Sequence, residues 1–198
     1  MGKTFQFLPS FSGFALASVV LFVSCACVAS NGATGGVTDL EGKPVDPFHA
    51  APGKAVVLIF VRTDCPISNR YAPAIQQLSA RHARDAAFFL VYPGKNEKPD
   101  AIRKHDREYG YRFSALRDPQ HILVKRSQAE ITPEAAVFDA RQRLVYHGRI
   151  DNLYEDFGHA RKTATTHELA DAIEAAVAGK ILGGKATPAV GCYISDLE

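Results

Sequence analysis

The chain has 198 residues, enough for one domain with appendages, and 46% of them are apolar, ample for a core. Its 23 Lys and Arg nearly cancel 21 Asp and Glu, leaving a net charge of +2. No Lys/Arg run exceeds two residues. That excludes the dense positive field which nucleic acid or an anionic lipid surface requires.

In the first thirty residues Lys3 is the only charge, and an apolar stretch over 13–29 is followed by small residues. This reads as an export signal, with Cys27 and Ala29 at the small-residue positions before the cut. Ser24-Cys25 suggests lipoprotein processing less well, because Phe22 is a poor fit there. The stretch is also long enough for an uncleaved membrane anchor. The expected organisation is 1–29 signal or anchor, 30–36 linker, 37–179 folded domain and 180–198 tail. The destination is periplasmic or otherwise extracytoplasmic. Of four cysteines, Cys25 and Cys27 fall in the leader, so Cys65 and Cys192 are left to the domain and tail. Two thiols in an oxidising compartment can pair, and their spacing is not that of a structural zinc site.

Along the domain, Glu41-Gly42 between apolar residues reads as the turn of an N-terminal hairpin over 37–50. The run 55–61 is β-branched and aromatic without polar alternation, as a strand covered on both faces requires. A helix follows over 66–84. Ile67, Tyr71, Ile75 and Leu78 form one stripe, Pro66 is harmless in the first turn, and Pro73 is an interior kink. Residues 86–92 are a second buried strand, 100–109 a charged, exposed helix stopping at Gly110, 113–116 a short strand and 119–128 another helix. Residues 135–139 and 143–147 form an antiparallel hairpin, and 150–164 a loop. Thr165 and Glu168 then read as a capping box opening the last helix, which buries Leu169, Ile173 and Val177 and stops at Gly179. The tail looks irregular. The order strand, helix, strand, helix, hairpin, helix implies an α/β domain around a mixed sheet.

Cys65 stands where a buried strand hands over to a helix, at the positive end of the helix dipole, where a thiolate is favoured over a thiol. Flanked by Asp64 and Pro66, it is expected to be exposed and reactive. The segment Cys65-Pro66-Ile67-Ser68 with Ala72-Pro73 resembles the active-site helix of the thioredoxin superfamily, and Ile131-Thr132-Pro133 resembles its cis-proline loop. Thr-Asp-Cys-Pro, Gly-Arg-Ile-Asp and a terminal Gly-Cys-x-Ile are similar to exported redoxin-domain proteins of the alkyl hydroperoxide reductase and thiol-specific antioxidant type. The resemblance covers about 36–179. It implies a thioredoxin-like fold, a central mixed β-sheet flanked by helices with the N-terminal hairpin and irregular tail added. It also implies thiol chemistry on disulfide-bearing proteins or peroxide, with no cofactor.

Two departures qualify the likeness. Ser68 occupies the place of the thioredoxin resolving cysteine. Thr63 lies only two residues before Cys65 with no Pro ahead of it, unlike the peroxiredoxin pattern. Cys192 is either the resolving thiol, carried back by the tail, or an unrelated tail thiol. Thr132 and Pro133 are expected to be joined by a cis bond and to present backbone to an extended substrate. Ser68 is either a donor to the thiolate or a neutral helix residue. Arg62, Asp64 and Arg149 are candidate polarising groups. The seven histidines read mainly as surface residues. Two other functions use the same residues. One is a copper(I) delivery module, with Cys65, Cys192 and His147 or His159 as soft ligands. The other is a non-catalytic thioredoxin-like binding domain.

Overall fold

In the computed structural model, residues 1–4, 36–180 and 186–195 are described. The chain divides into two compact units, Met1–Asn31 and Gly32–Glu198, and the described helices and strands all belong to the second. Apart from residues 1–4, which form no helix or strand, the leader lies outside the described residues, as does the linker up to 35. Among the described residues no helix is long and apolar enough to cross a membrane.

Five strands make one mixed sheet. They are β1 (Ala55–Phe60), β2 (Ala86–Tyr92), β3 (Ser114–Arg117), β5 (Glu134–Phe138) and β6 (Leu144–Gly148), in spatial order β3-β2-β1-β5-β6. β1 runs parallel to β2, and β2 to β3, while β5 is antiparallel to both β1 and β6. Every residue of β1 is buried, and the pleat explains why the run needs no polar alternation. Val57 and Ile59 enter a core with Ile75, Ile102, Leu169 and Ile173, whereas Val56, Leu58 and Phe60 enter a second with Phe48, Leu123 and Ile194. The central strand is thus shared by two cores.

The helices are α1 (Pro47–Ala50), α2 (Pro66–His82), α3 (Pro99–Tyr109), α4 (Ile122–Ser127) and α5 (Glu168–Val177). α2 retains Pro73 inside it and buries Ile67, Tyr71 and Ile75. α3 ends at Gly110 in the left-handed region, as expected, but it is not simply an exposed helix, because Ile102 and His105 are buried. The N-terminal hairpin is rudimentary, a turn closed by a single bridge between Thr38 and Pro44. α5 starts two residues later than the capping box would place it, with His167 and not Thr165 as its N-cap. Asn152 Oδ1 accepts the amides of Thr165 and Thr166 at 2.7 and 3.1 Å, and Glu168 turns instead to Arg149. A second, two-stranded sheet pairs β4 (Ile131–Thr132) with β7 (Cys192–Tyr193) of the tail.

Candidate active site at the start of α2

After β1 the backbone stays in the sheet for one more residue, Val61 N donating to Val91 O at 3.0 Å, and then turns sharply. Two contacts hold the turn. Thr63 donates from both N and Oγ1 to Glu97 Oε1, at 2.8 and 2.9 Å, and Asn69 Nδ2 donates to Thr63 O at 3.3 Å. Cys65 is the N-cap of α2 with extended backbone, and Pro66 takes the first helical position, where no amide is needed. Its sulfur therefore sits at the positive helix terminus, as the sequence implies.

The opposite wall is the segment from β4 to β5. The Thr132–Pro133 peptide bond is cis, and Thr132 is fully buried. Protonated Cys65 donates from Sγ to Thr132 O at 3.1 Å. Glu134 anchors this segment by accepting the amides of Glu130 and Ile131 at 2.9 and 3.2 Å. Against β4 lies the tail, with Cys192 opposite Thr132 and Tyr193 opposite Ile131. Thr132 Oγ1 donates to Cys192 O at 3.2 Å, Ile194 N to Glu130 O at 2.9 Å and Arg62 Nη1 to Tyr193 O at 3.5 Å. Two glycines permit this approach. A Cβ at Gly191 would fall on Thr132 O and 2.7 Å from its carbonyl carbon, and one at Gly148, whose φ is +140°, would fall on Thr187.

Cys65 and Cys192 are both free thiols, and the electrostatics separate them. Burial pushes the Cys65 thiol up, but the neighbouring Cys192 thiol, the Ser68 hydroxyl and amide and the Cys192 amide favour the charged sulfur and outweigh it. Cys65 therefore lies below the ordinary cysteine value. Ser68 Oγ is fully buried and makes no hydrogen bond of its own, so its proton is free to turn to the sulfur once Cys65 is charged. Burial, then the hydrogen bond and charge of Cys65, push Cys192 up to about 11, against a downward pull from Arg62. The arrangement is a thiol of lowered pKa beside a neighbour that holds its proton more tightly.

The structure brings Cys65, Ser68, Thr132, Pro133 and Cys192 together. Cys65 is not exposed, however; its exposure is 0%, and it belongs to the core that holds Val61, Ile67 and Tyr71, with Thr132 O on its sulfur. Arg62 pairs with Asp64 at 2.8 Å and reaches the tail, whereas Arg149 pairs with Glu168 at the start of α5. His105 and His121 are buried rather than on the surface. His147 contacts Glu134 and His159 contacts Asp156, and among the described residues no group of three His, Cys, Asp or Glu could hold a metal ion. Sequence reasoning missed Glu97 and Asn69, which carried no signal, whereas Gly191 was read as part of the terminal Gly-Cys-x-Ile.

A family model described as Redoxin matches residues 8–162. No curated protein matches the chain. Among solved structures, a hypothetical protein from Sinorhizobium meliloti is 25% identical, covering 80% of this chain and 88% of its own, with a TM-score of 0.68. An uncharacterized conserved protein from Geobacillus kaustophilus is 23% identical over 80% and 86%, also at 0.68. A thiol:disulfide interchange protein of the thioredoxin family from Chlorobium tepidum is 16% identical over 71% and 90%, at 0.52. The last two likenesses are of fold alone.

Proposed function

Because the chain belongs to the Redoxin family and has a thioredoxin-like fold, we propose that it is an exported thiol-disulfide oxidoreductase with Cys65 as nucleophile and Cys192 as resolving thiol. One observation carries the reading: two free thiols with opposed pKa shifts meet beside the Thr132–Pro133 backbone. Export is supported by the apolar stretch over 13–29.

The Cys65 thiolate attacks one sulfur of a substrate disulfide, forming a mixed disulfide and releasing the other substrate sulfur as a thiolate. Cys65 then no longer carries the charge or accepts the hydrogen bond that raises Cys192. Cys192 loses its proton more easily at that point and attacks Cys65 Sγ. The second substrate thiolate leaves, and the enzyme holds a Cys65–Cys192 disulfide. Two electrons pass from the pair to the substrate, and the reverse sequence oxidises a dithiol. Ser68 and Cys192 stabilise the resting thiolate, so the missing second cysteine in the helix is replaced from the tail. Disulfide exchange is favoured over peroxide reduction because Thr63 gives its hydroxyl to Glu97 and not to a ligand beside the sulfur.

The test is insulin reduction and reduced-ribonuclease oxidation by wild type, Cys65→Ser and Cys192→Ser, with peroxide consumption alongside. Cys65→Ser loses all disulfide activity. Cys192→Ser accumulates mixed disulfide visible by mass spectrometry, and oxidised wild type yields a crosslinked Cys65–Cys192 peptide. Full activity in Cys65→Ser refutes the reading.

A further inference from the structure

The tail lies on β4 as an incoming chain would. It runs antiparallel, with Ile194 N donating to Glu130 O and the Thr132 hydroxyl to Cys192 O, and it sets Cys192 opposite Thr132, whose carbonyl holds the Cys65 sulfur. An edge strand with free backbone groups is a template for an added strand, and the edge here is short and flanked by the nucleophile. The position of Cys192 is a route to the Cys65 sulfur, which is otherwise covered. A substrate sulfur that takes this route also takes the tail's path, so the contacts made by each tail residue describe what the site accepts.

Those contacts are selective at two positions and indifferent at a third. Immediately before the cysteine, any Cβ would strike the carbonyl of Thr132, with Ile131 Cγ2 only 2.9 Å away. Backbone cannot yield as a flexible side chain does, so only glycine fits. Immediately after it, Tyr193 is 75% exposed and its side chain reads nothing. One further on, Ile194 is 5% exposed and enters the core holding Phe60 and Leu123. That position requires an apolar side chain.

We propose that the β4 edge selects extended polypeptide segments of the pattern glycine, cysteine, any residue, apolar residue, and that the tail over Gly191–Ile194 is the resident copy that such a segment displaces. This rests on Cys65 being the nucleophile. On the return step the tail evicts the product while delivering Cys192, because both occupy one edge.

The test uses the full chain carrying Gly191→Ala and Cys192→Ser, which unseats the tail and removes its thiol. The probe is the hexapeptide Val-Gly-Cys-Tyr-Ile-Ser, its thiol blocked as a mixed disulfide with thionitrobenzoate. Attack by the Cys65 thiolate on the peptide sulfur breaks that disulfide, forms a Cys65–peptide disulfide and releases coloured thionitrobenzoate. Alanine for the peptide glycine slows release at least about tenfold, as does serine for its isoleucine. Alanine for its tyrosine changes the rate by less than about twofold. Equal rates for the glycine and alanine peptides, with release still dependent on Cys65, overturn the selectivity and leave the oxidoreductase reading standing. No Cys65-dependent release from any peptide overturns both. Independently, iodoacetamide labels Cys65 at least about tenfold faster in Gly191→Ala than in wild type. Unchanged labelling refutes the tail as occupant.

Discussion

Cys65 and Cys192 are the same side chain in adjoining places, yet the proton belongs to Cys192. Cys65 gains donors from the α2 terminus, from Ser68 and from Cys192 itself, whereas Cys192 gains chiefly burial and the neighbouring negative charge. As pH rises, Cys65 is therefore the first to lose its proton, below the ordinary cysteine value, and Cys192 follows only near pH 11. Thiolate ultraviolet absorbance should show these two separate steps. Cys65→Ser should erase the first and bring the second down toward the ordinary value, because its hydrogen bond and charge are both removed. A single step at the ordinary value for both thiols would contradict the assignment. Ser68→Ala removes one donor to the anion, so the first step moves up and alkylation of Cys65 at neutral pH slows by about tenfold, the scale of a hydrogen bond to a charged group. Ser68 was readable in the sequence as a residue one turn past the cysteine, but its role was not. The choice depends on whether the hydroxyl is already taken by a partner of its own, and it has none.

At the scale of elements, the site is only as well placed as the segments on either side of it. β4 follows α4 closely, and α4 is short, so its first turn depends on Asp118. This fully buried carboxylate accepts Ile122 N at 2.8 Å and Val124 N at 3.0 Å. Asp118→Ala should lower unfolding free energy by about 2 kcal/mol in urea. It should also speed amide exchange at Ile131 and Thr132 more than at β2, and an even change across both would show that α4 does not steady β4. Elements built from local pattern were legible in the sequence. β1 and β2 announce themselves because both faces are covered, and α3 because Gly110 supplies the left-handed stop. The start of α5 was not legible, because the residue that receives its leading amides is Asn152, thirteen positions before Thr165. His105 was misread for a similar reason. Its place on a charged helix hides Tyr92 and Asn69, which hold its two ring nitrogens at 2.8 and 2.7 Å.

Across the whole molecule, the tail closes a domain that is otherwise a sheet between two cores. The tail carries no period of helix or strand, so the seat of its described residues, 186–195, was invisible in the sequence. It arises from two glycines that matter only once the chain has folded, Gly191 against Thr132 of β4 and Gly148 of β6 against Thr187. Thr187 bridges to Gly148 at β6 and Cys192 pairs with Thr132, so the two contacts draw the tail across the mouth of the site. The tail is then both a cover for the nucleophile and the far end of a long loop that begins at Cys65. Oxidation would turn a noncovalent contact into a covalent closure. For a loop on the order of 100 residues, such as that between positions 65 and 192, the chain-entropy model gives roughly 4–5 kcal/mol through restriction of the unfolded chain. The tail is already seated in the reduced protein, so little native rearrangement offsets that gain. Guanidinium unfolding of the oxidised protein should therefore show a midpoint well above that of the reduced protein, with a smaller denaturant dependence because the crosslinked unfolded chain exposes less surface. Cys192→Ser should show one midpoint under both conditions. If oxidation lowered the wild-type midpoint instead, the disulfide would be held under strain, and the tail would have to move away from β4 when the thiols join.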